Sequence, residues 1–219
     1  MAWHHLTTDR PGWTTVHSSE QEDNAREIWN ILVHDNSWTE NSASAVLGNL
    51  QAESYINPGQ WELYQNYDTQ LGMGLGQWTP ATKVSDFIGG GIDPTTSQGR
   101  EEMADGNKQM ELLISTPSQY STNYLNPDGS STYYDETGLP YISNMTDFSQ
   151  SNESIEDLTK LWAICWERPR NTYYASSISD RIQNANYWYN ILHGSTPPGP
   201  GPTPHHGRKL PLWMYLRRL

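Results

Sequence analysis

Between Asn24 and Val33 the chain carries Ile28, Trp29, Ile31, Leu32 and Val33, a density that predicts a short helix with a broad apolar face. Thr39 then stands where an N-cap belongs, and Ala43, Val46, Leu47 and Leu50 follow at helical spacing. This second helix is expected to reach about Glu53. Asn57-Pro58-Gly59 should stop it, since proline lacks an N–H and glycine accepts a positive φ. From Trp61 to Trp78 the helical period is lost. Gly72, Gly74 and Gly76 alternate with Leu71, Met73 and Leu75, which predicts a short β-hairpin or a tight extended loop.

A further helix is expected over about Gly99 to Ile114. Residues Thr116 to Ser151 are rich in Tyr, Ser, Asn, Thr, Asp and Gly and read as a long surface insertion, a length uncommon in a loop without a function. Ser154 then caps a helix, with Asp157 in the place of a capping-box Glu and with Ile155, Leu158, Leu161, Trp162 and Cys165 facing inward. Pro169 ends it. Ser177 with Asp180 opens the last helix, whose stripe is Ile178, Ile182, Ala185, Tyr189 and Leu192. The expected fold class is α+β and mainly helical, with a small β-hairpin beside the helix that carries Glu53.

Composition divides the chain. Residues 1–22 are polar and aperiodic, a flexible arm; residues 23–193 form the folded domain. Residues 194–207 are a Pro/Gly linker, and residues 208–219 a basic-aromatic tail. A folded body of about 170 residues can bury enough apolar surface to need no disulfide or metal staple. The lone Cys165 could not form an internal bridge.

The formal net charge is -12, and all 25 acidic residues precede Arg181. An acidic body excludes sequence-general nucleic-acid binding, which needs a Lys/Arg surface. No apolar run approaches the length of a membrane span, and Met1-Ala2-Trp3-His4-His5 lacks the start of a secretory signal. Ten Trp and thirteen Tyr accompany two Phe, a bias toward rings with a polar edge that suits sugar stacking as well as ordinary cores.

The chemistry concentrates in Gly48-Asn49-Leu50-Gln51-Ala52-Glu53-Ser54, Asn57-Pro58-Gly59 and Gly72-Met73-Gly74-Leu75-Gly76-Gln77-Trp78-Thr79-Pro80. This order sets a carboxylate at the C-terminal end of an apolar helix, opposite a glycine-rich turn. A helix C-terminus carries partial negative charge, and partial burial acts in the same direction, so the carboxyl is expected to hold its proton near neutral pH. A glycosidase acid needs that property.

These segments resemble the phage tail-associated lysozyme family, the N-terminal muramidase domain of podovirus tail-knob proteins. Trp166-Glu167-Arg168-Pro169 and Asn186-Tyr187-Trp188-Tyr189 extend the resemblance, which covers roughly residues 23 to 193. The resemblance implies a lysozyme-like fold and cleavage of the N-acetylmuramic acid–N-acetylglucosamine backbone of peptidoglycan. It matches Glu53 to the catalytic acid, Gln77 to the glutamine lining the sugar groove, and Ser54 to a supporting serine. It implies a virion-tail protein acting on the bacterial wall, with no cofactor and no metal.

The second catalytic group is open. Asp68, ahead of the hairpin, is the first candidate and Glu62 the second, whereas Glu167 is expected to pair with Arg168 or Arg170. Without a second carboxylate near Glu53, a lytic transglycosylase becomes the better reading, because the substrate's own 6-hydroxyl then closes onto the anomeric carbon. A non-catalytic wall-binding tail protein is the reading outside enzymes. Trp61 and Trp78 are candidates for sugar stacking, with core packing as the alternative. Tyrosines of the insertion, Tyr120, Tyr124, Tyr133, Tyr134 and Tyr141, could border a glycan cleft. The basic-aromatic tail is expected to dock on another tail protein rather than on lipid.

Overall fold

The computed structural model describes residues 3–5, 18–62, 67–122, 138–168 and 171–195. Helix α1 (Ser19–Trp29) continues in wider π-helical turns through Asn30–Asp35. Then come α2 (Glu40–Ser54), α3 (Thr82–Ile88), α4 (Ser97–Met103), α5 (Gly106–Ser115) and a 3-10 turn at Pro117–Gln119. After these lie α6 (Met145–Ser149), α7 (Ile155–Trp162) prolonged by a π-helical turn at Ala163–Glu167, and α8 (Asn171–Leu192).

Helix α2 is the centre of the domain. It packs against α7 and α8 and touches α1 and α6. Thr39 caps it as expected, its side chain accepting the Ser42 N–H at 3.2 Å. The helix is far more enclosed than a one-sided stripe implies, because eleven of its fifteen residues are buried. Small side chains make this possible. A Cβ on Gly48 would lie 2.4 Å from the Arg181 carbonyl oxygen and 2.6 Å from Ala185 Cβ, so α8 crosses α2 at near backbone contact.

Helix α2 ends at Ser54, close to the expected Glu53, but the turn that stops it precedes proline and glycine. Tyr55 and Ile56 take left-handed φ values of 54° and 56°, ahead of Asn57-Pro58-Gly59. Such angles disfavour side chains with a Cβ, but here tertiary bonds hold them: Ile56 is fully buried and its carbonyl accepts Asn24 Nδ2 at 2.9 Å.

Other boundaries also move. Helix α1 begins at Ser19, inside the expected arm, because Ser18 and Gln21 form a reciprocal capping box. Residues 3–5 dock too: His4 N–H donates to Asn24 Oδ1 at 2.9 Å, and the Trp3 ring lies over Gly106. The helix expected over Gly99 to Ile114 is split, since Asp105 caps a new start by accepting Lys108 N–H. The flanks of the expected surface insertion fold inward. Tyr120 and Phe148 are buried against Trp162, which stacks on Trp166 at 4.7 Å. Tyr124, Tyr133, Tyr134, the tail at 208–219 and all of the linker beyond Ser195 lie outside the described residues.

In place of the expected β-hairpin there are two isolated antiparallel bridges, Trp61 with Met73 and Met73 with Trp78. The loop turns too tightly for a ladder, with positive φ at Gly74 and Gln77. A side chain substitutes for the missing strand partner: Gln109 Oε1 accepts Leu75 N–H at 2.8 Å, while its Nε2 donates to Pro58 and Met103 carbonyls, both at 2.7 Å. The described residues are therefore mainly helical. None of their helices is long and apolar enough to cross a membrane.

Candidate active site

An open cleft of ≈ 1210 Å³ runs along the end of α2. The glycine-rich loop lines one side with Gly76, Gln77, Trp78 and Thr79, joined by Gln60, Trp61 and Glu62. The other side is the end of α7, with Trp166, Glu167 and Arg168. Glu53 lies between. This volume exceeds the range usual for a drug-sized ligand and suits an extended chain.

Glu53 sits in the last turn of α2, its side chain 16% exposed. Ser54, immediately after it, faces the interior and ties the helix to the loop. The Glu53 carboxylate forms an ion pair with Arg181, a fully buried residue of α8. Arg181 also donates from Nη1 to Asn49 Oδ1 at 2.8 Å and from Nε to Ser177 Oγ at 3.3 Å. Asn49 is held in turn, donating to the Ala45 and Thr159 carbonyls. The expected solitary acid at a helix end is thus paired with a buried cation.

A further carboxyl of the cleft is Glu167. Its Oε1 accepts the indole N–H of Trp162 at 3.1 Å. Burial pushes this carboxyl up, and the neighbouring Glu53 charge raises it further; Arg181 and the Trp162 bond act the other way, leaving it at about 8.

Glu167 does not follow its expected pairing with Arg168. That guanidinium instead donates to the Cys165 and Gln119 carbonyls, and Arg168 takes a left-handed φ of 55° at the end of the π-turn. Arg170 lies outside the described residues. Asp68 is exposed and does not line the cleft; its Oδ1 accepts Gln70 N–H at 2.9 Å in a local turn. Glu62 does line the cleft, yet its Oε2 is engaged by Gly72 N–H at 2.7 Å.

Gln77 reaches the cleft, and its amide nitrogen donates to the Gln60 and Gly74 carbonyls, so it shapes the loop. Trp61 and Trp78 border the same space with only 3% of each residue exposed, which leaves little ring face for a sugar. Cys165 is buried, and its thiol is pushed up to about 11 by burial, which makes it a poor nucleophile. No cluster of three metal-ligating side chains occurs among the described residues.

Arg181 and Glu167 were both missed as site residues. The signal for Arg181 was present: it falls four and seven residues before Ala185 and Trp188, on the buried line that also holds Tyr174 and Leu192. The expected stripe placed Ile178, Ile182 and Tyr189 there, and those three are only partly buried.

Comparison with known proteins assigns the whole of this region to one group. Residues 23–192 match the phage tail lysozyme family. The chain belongs to that family. It is also similar to Morphogenesis protein 1 of Bacillus phage B103, with 30% identity over 173 residues, 78% of this chain and 40% of that protein. The chain thus spans about two-fifths of the length of this relative. The family match holds both walls of the cleft, from α2 through the glycine-rich loop to α8. The cleft of this phage tail lysozyme domain is lined by three carboxyl residues, Glu53, Glu62 and Glu167.

Proposed function

We propose that the chain is a peptidoglycan muramidase, a glycoside hydrolase that cuts the N-acetylmuramic acid–N-acetylglucosamine backbone, with Glu53 and Glu167 as its catalytic pair. The observation that carries this reading is the meeting of these two carboxyls in one cleft of a phage tail lysozyme domain. Glycoside hydrolysis needs one group that delivers a proton to the leaving oxygen. It needs a second that activates water or meets the positive charge at the anomeric carbon. Glu167, raised to about 8 by burial, keeps a proton near neutral pH.

The second carboxyl also favours hydrolysis over lytic transglycosylation, which manages with a single acid–base residue. Gln77 orders the loop wall, and the cleft volume of ≈ 1210 Å³ leaves room for more than one sugar. A place in the phage tail, facing the bacterial wall, agrees with the family's description as phage tail lysozymes.

Purified sacculi test the proposal. The native chain clears them and releases reducing ends, and Glu53→Gln and Glu167→Gln each lose clearing by at least about a hundredfold, the usual contribution of a general acid or base. Products ending in 1,6-anhydro sugars would move the assignment to a transglycosylase. Binding without clearing would leave a wall-binding protein.

A further inference from the structure

We infer that Lys83 is a specificity-determining residue of the cleft: its ammonium receives a carboxylate that muramic acid carries beside the glycan, so that strands bearing this anion bind in preference to neutral ones. The inference rests on the proposed reading of the cleft as a peptidoglycan site, and it names the part of the substrate that this reading leaves unassigned.

Lys83 stands apart from the other described cations. Arg26 pairs with Glu22, Lys108 with Glu111, Lys160 with Glu156 and Arg181 with Glu53. Arg100 donates to the Pro94 and Thr95 carbonyls and lies over the Tyr67 ring, while Arg168 donates to the Cys165 and Gln119 carbonyls. Lys83 is exposed and lines the cleft, and its ammonium has no ion pair or hydrogen bond among the described residues. With 25 acidic residues against 13 basic ones in the chain, an unpaired cation facing the substrate space is the exception.

Local structure holds its point of attachment still. The Ala81 N–H donates to the Thr69 and Leu71 carbonyls, both at 2.9 Å, and Ala81 is fully buried, which ties the start of α3 to the glycine-rich loop. Phe87 lies one turn beyond Lys83 on the same face of α3, half-buried and also lining the cleft. Helix α3 packs against α5, whose Leu112 borders the same space. These two helices therefore bring apolar side chains and one ammonium to the cleft, whereas α2, the loop side and the end of α7 bring its carboxyls.

The chemistry of the substrate supplies the counterpart. The N-acetylated sugar rings of the backbone are neutral. Muramic acid adds a lactyl ether, whose carboxyl is free in a bare strand and bonded to a stem peptide in the intact wall, where the carboxylates of the peptide carry the charge. Without Lys83 the acidic residues of the cleft would meet this anion as a like charge. An ammonium on a flexible stem needs no fixed fork, which suits a carboxylate on a mobile substituent.

Binding to soluble strands tests the inference without turnover. The probes are bare strands of alternating N-acetylglucosamine and N-acetylmuramic acid, strands that keep their stem peptides, and both kinds with their carboxylates converted to methylamides. Calorimetry uses the Glu53→Gln chain, which leaves the strands intact. That chain binds a carboxylate-bearing strand about three- to tenfold more tightly than its methylamide, the scale of one charge-assisted hydrogen bond at an exposed site, and rising salt shrinks the difference. Adding Lys83→Met abolishes the preference and leaves binding of the methylamides unchanged, whereas Lys83→Arg keeps the preference within about twofold.

A Lys83-dependent preference for bare strands identifies the lactyl carboxylate as the anion, and one confined to strands with stem peptides identifies the peptide carboxylate. A preference that survives Lys83→Met overturns the inference, as does an equal loss on charged and neutral strands, the mark of a structural role. Absence of binding to every strand overturns it too. The two readings fail separately: Lys83-dependent binding by a chain that never clears sacculi removes the muramidase and keeps this inference, and clearing without a Lys83-dependent preference does the reverse.

Discussion

Ser54 Oγ donates to the Leu75 carbonyl at 2.9 Å, which fixes the residue after Glu53 to the middle of the glycine-rich loop. The same hydroxyl lies 3.1 Å from the Leu50 carbonyl within α2, and Ser54 is fully buried. One side chain thereby sets the distance between the helix that carries Glu53 and the wall that faces it. Because the serine is buried and points away from the cleft, its contribution is to geometry.

Ser54→Ala leaves the Leu75 carbonyl without this donor. The expected loss is about 1–3 kcal/mol, the cost of a buried polar group left unmatched. Thermal unfolding measures it. Clearing of sacculi falls as well, because the loop is free to drift from Glu53, and an unchanged melting temperature would show that the bond carries no weight.

Gln109 makes a stronger demand. It is fully buried on α5 and bonds three backbone groups, Leu75 N–H and the Pro58 and Met103 carbonyls. Gln109→Leu keeps roughly the volume and abandons all three. A loss of about 3 kcal/mol or more is expected by chemical denaturation, larger than for Ser54→Ala. Hydrogen exchange at the Leu75 amide gives the local reading, and it should accelerate more than at amides within α2.

How much of this was legible in the sequence depends on what each residue had to signal. Helix α2 and its cap at Thr39 follow from local chemistry, and the observed Glu40–Ser54 agrees with the pattern. The cap at Ser154 is likewise observed, its hydroxyl accepting Asp157 N–H at 3.1 Å. The glycine-rich segment was recognisable as a turn, but not as one braced by a glutamine 34 residues away, since nothing local marks Gln109. Arg181 and Glu167 are harder still. A charged residue on an inner helix face breaks the apolar pattern that reveals the face, so the inner line of α8 holds Ala185 and Leu192 as expected but Arg181 and Trp188 in place of Ile182 and Tyr189. Asp68 drew attention because it lay near the motif along the chain. Glu167 is 114 residues from Glu53, and only the packing of α7 and α8 on α2 brings the two together.

Gly48 tests that packing. The two backbone atoms nearest to a Cβ there, the Arg181 oxygen at 2.4 Å and the Ala185 nitrogen at 2.7 Å, belong to α8 and have no rotamer by which to yield. Gly48→Ala forces the helices apart, and about 1–3 kcal/mol of overpacking strain is expected, with more for Gly48→Val. The displaced part of α8 carries Arg181, so activity should fall more steeply than stability. A Gly48→Ala protein with native melting and native clearing would show that α2 and α8 are not in contact at this point.

Glu167 yields a prediction about stability that runs against its proposed role in catalysis. The folded state raises this carboxyl from an ordinary 4.5 to about 8, chiefly through burial and then through Glu53. Between those two values the folded chain binds more protons at this site than the unfolded chain does. Stability from Glu167 is therefore present in full below about pH 4.5 and is lost as the pH rises toward 8. Glu167→Gln keeps an acceptor for the Trp162 indole and never ionises, so it removes that slope. The variant should melt above the native protein at pH 8, the gap narrowing as the pH is lowered to 5, with about 2–4 °C for each kcal/mol in a domain of this size. The same variant should clear sacculi poorly at every pH. A stabilised and inactive Glu167→Gln is the outcome expected where a buried carboxyl is kept for chemistry at the expense of the fold; a variant less stable than the native protein at pH 8 would mean that Glu167 serves the fold as a charge.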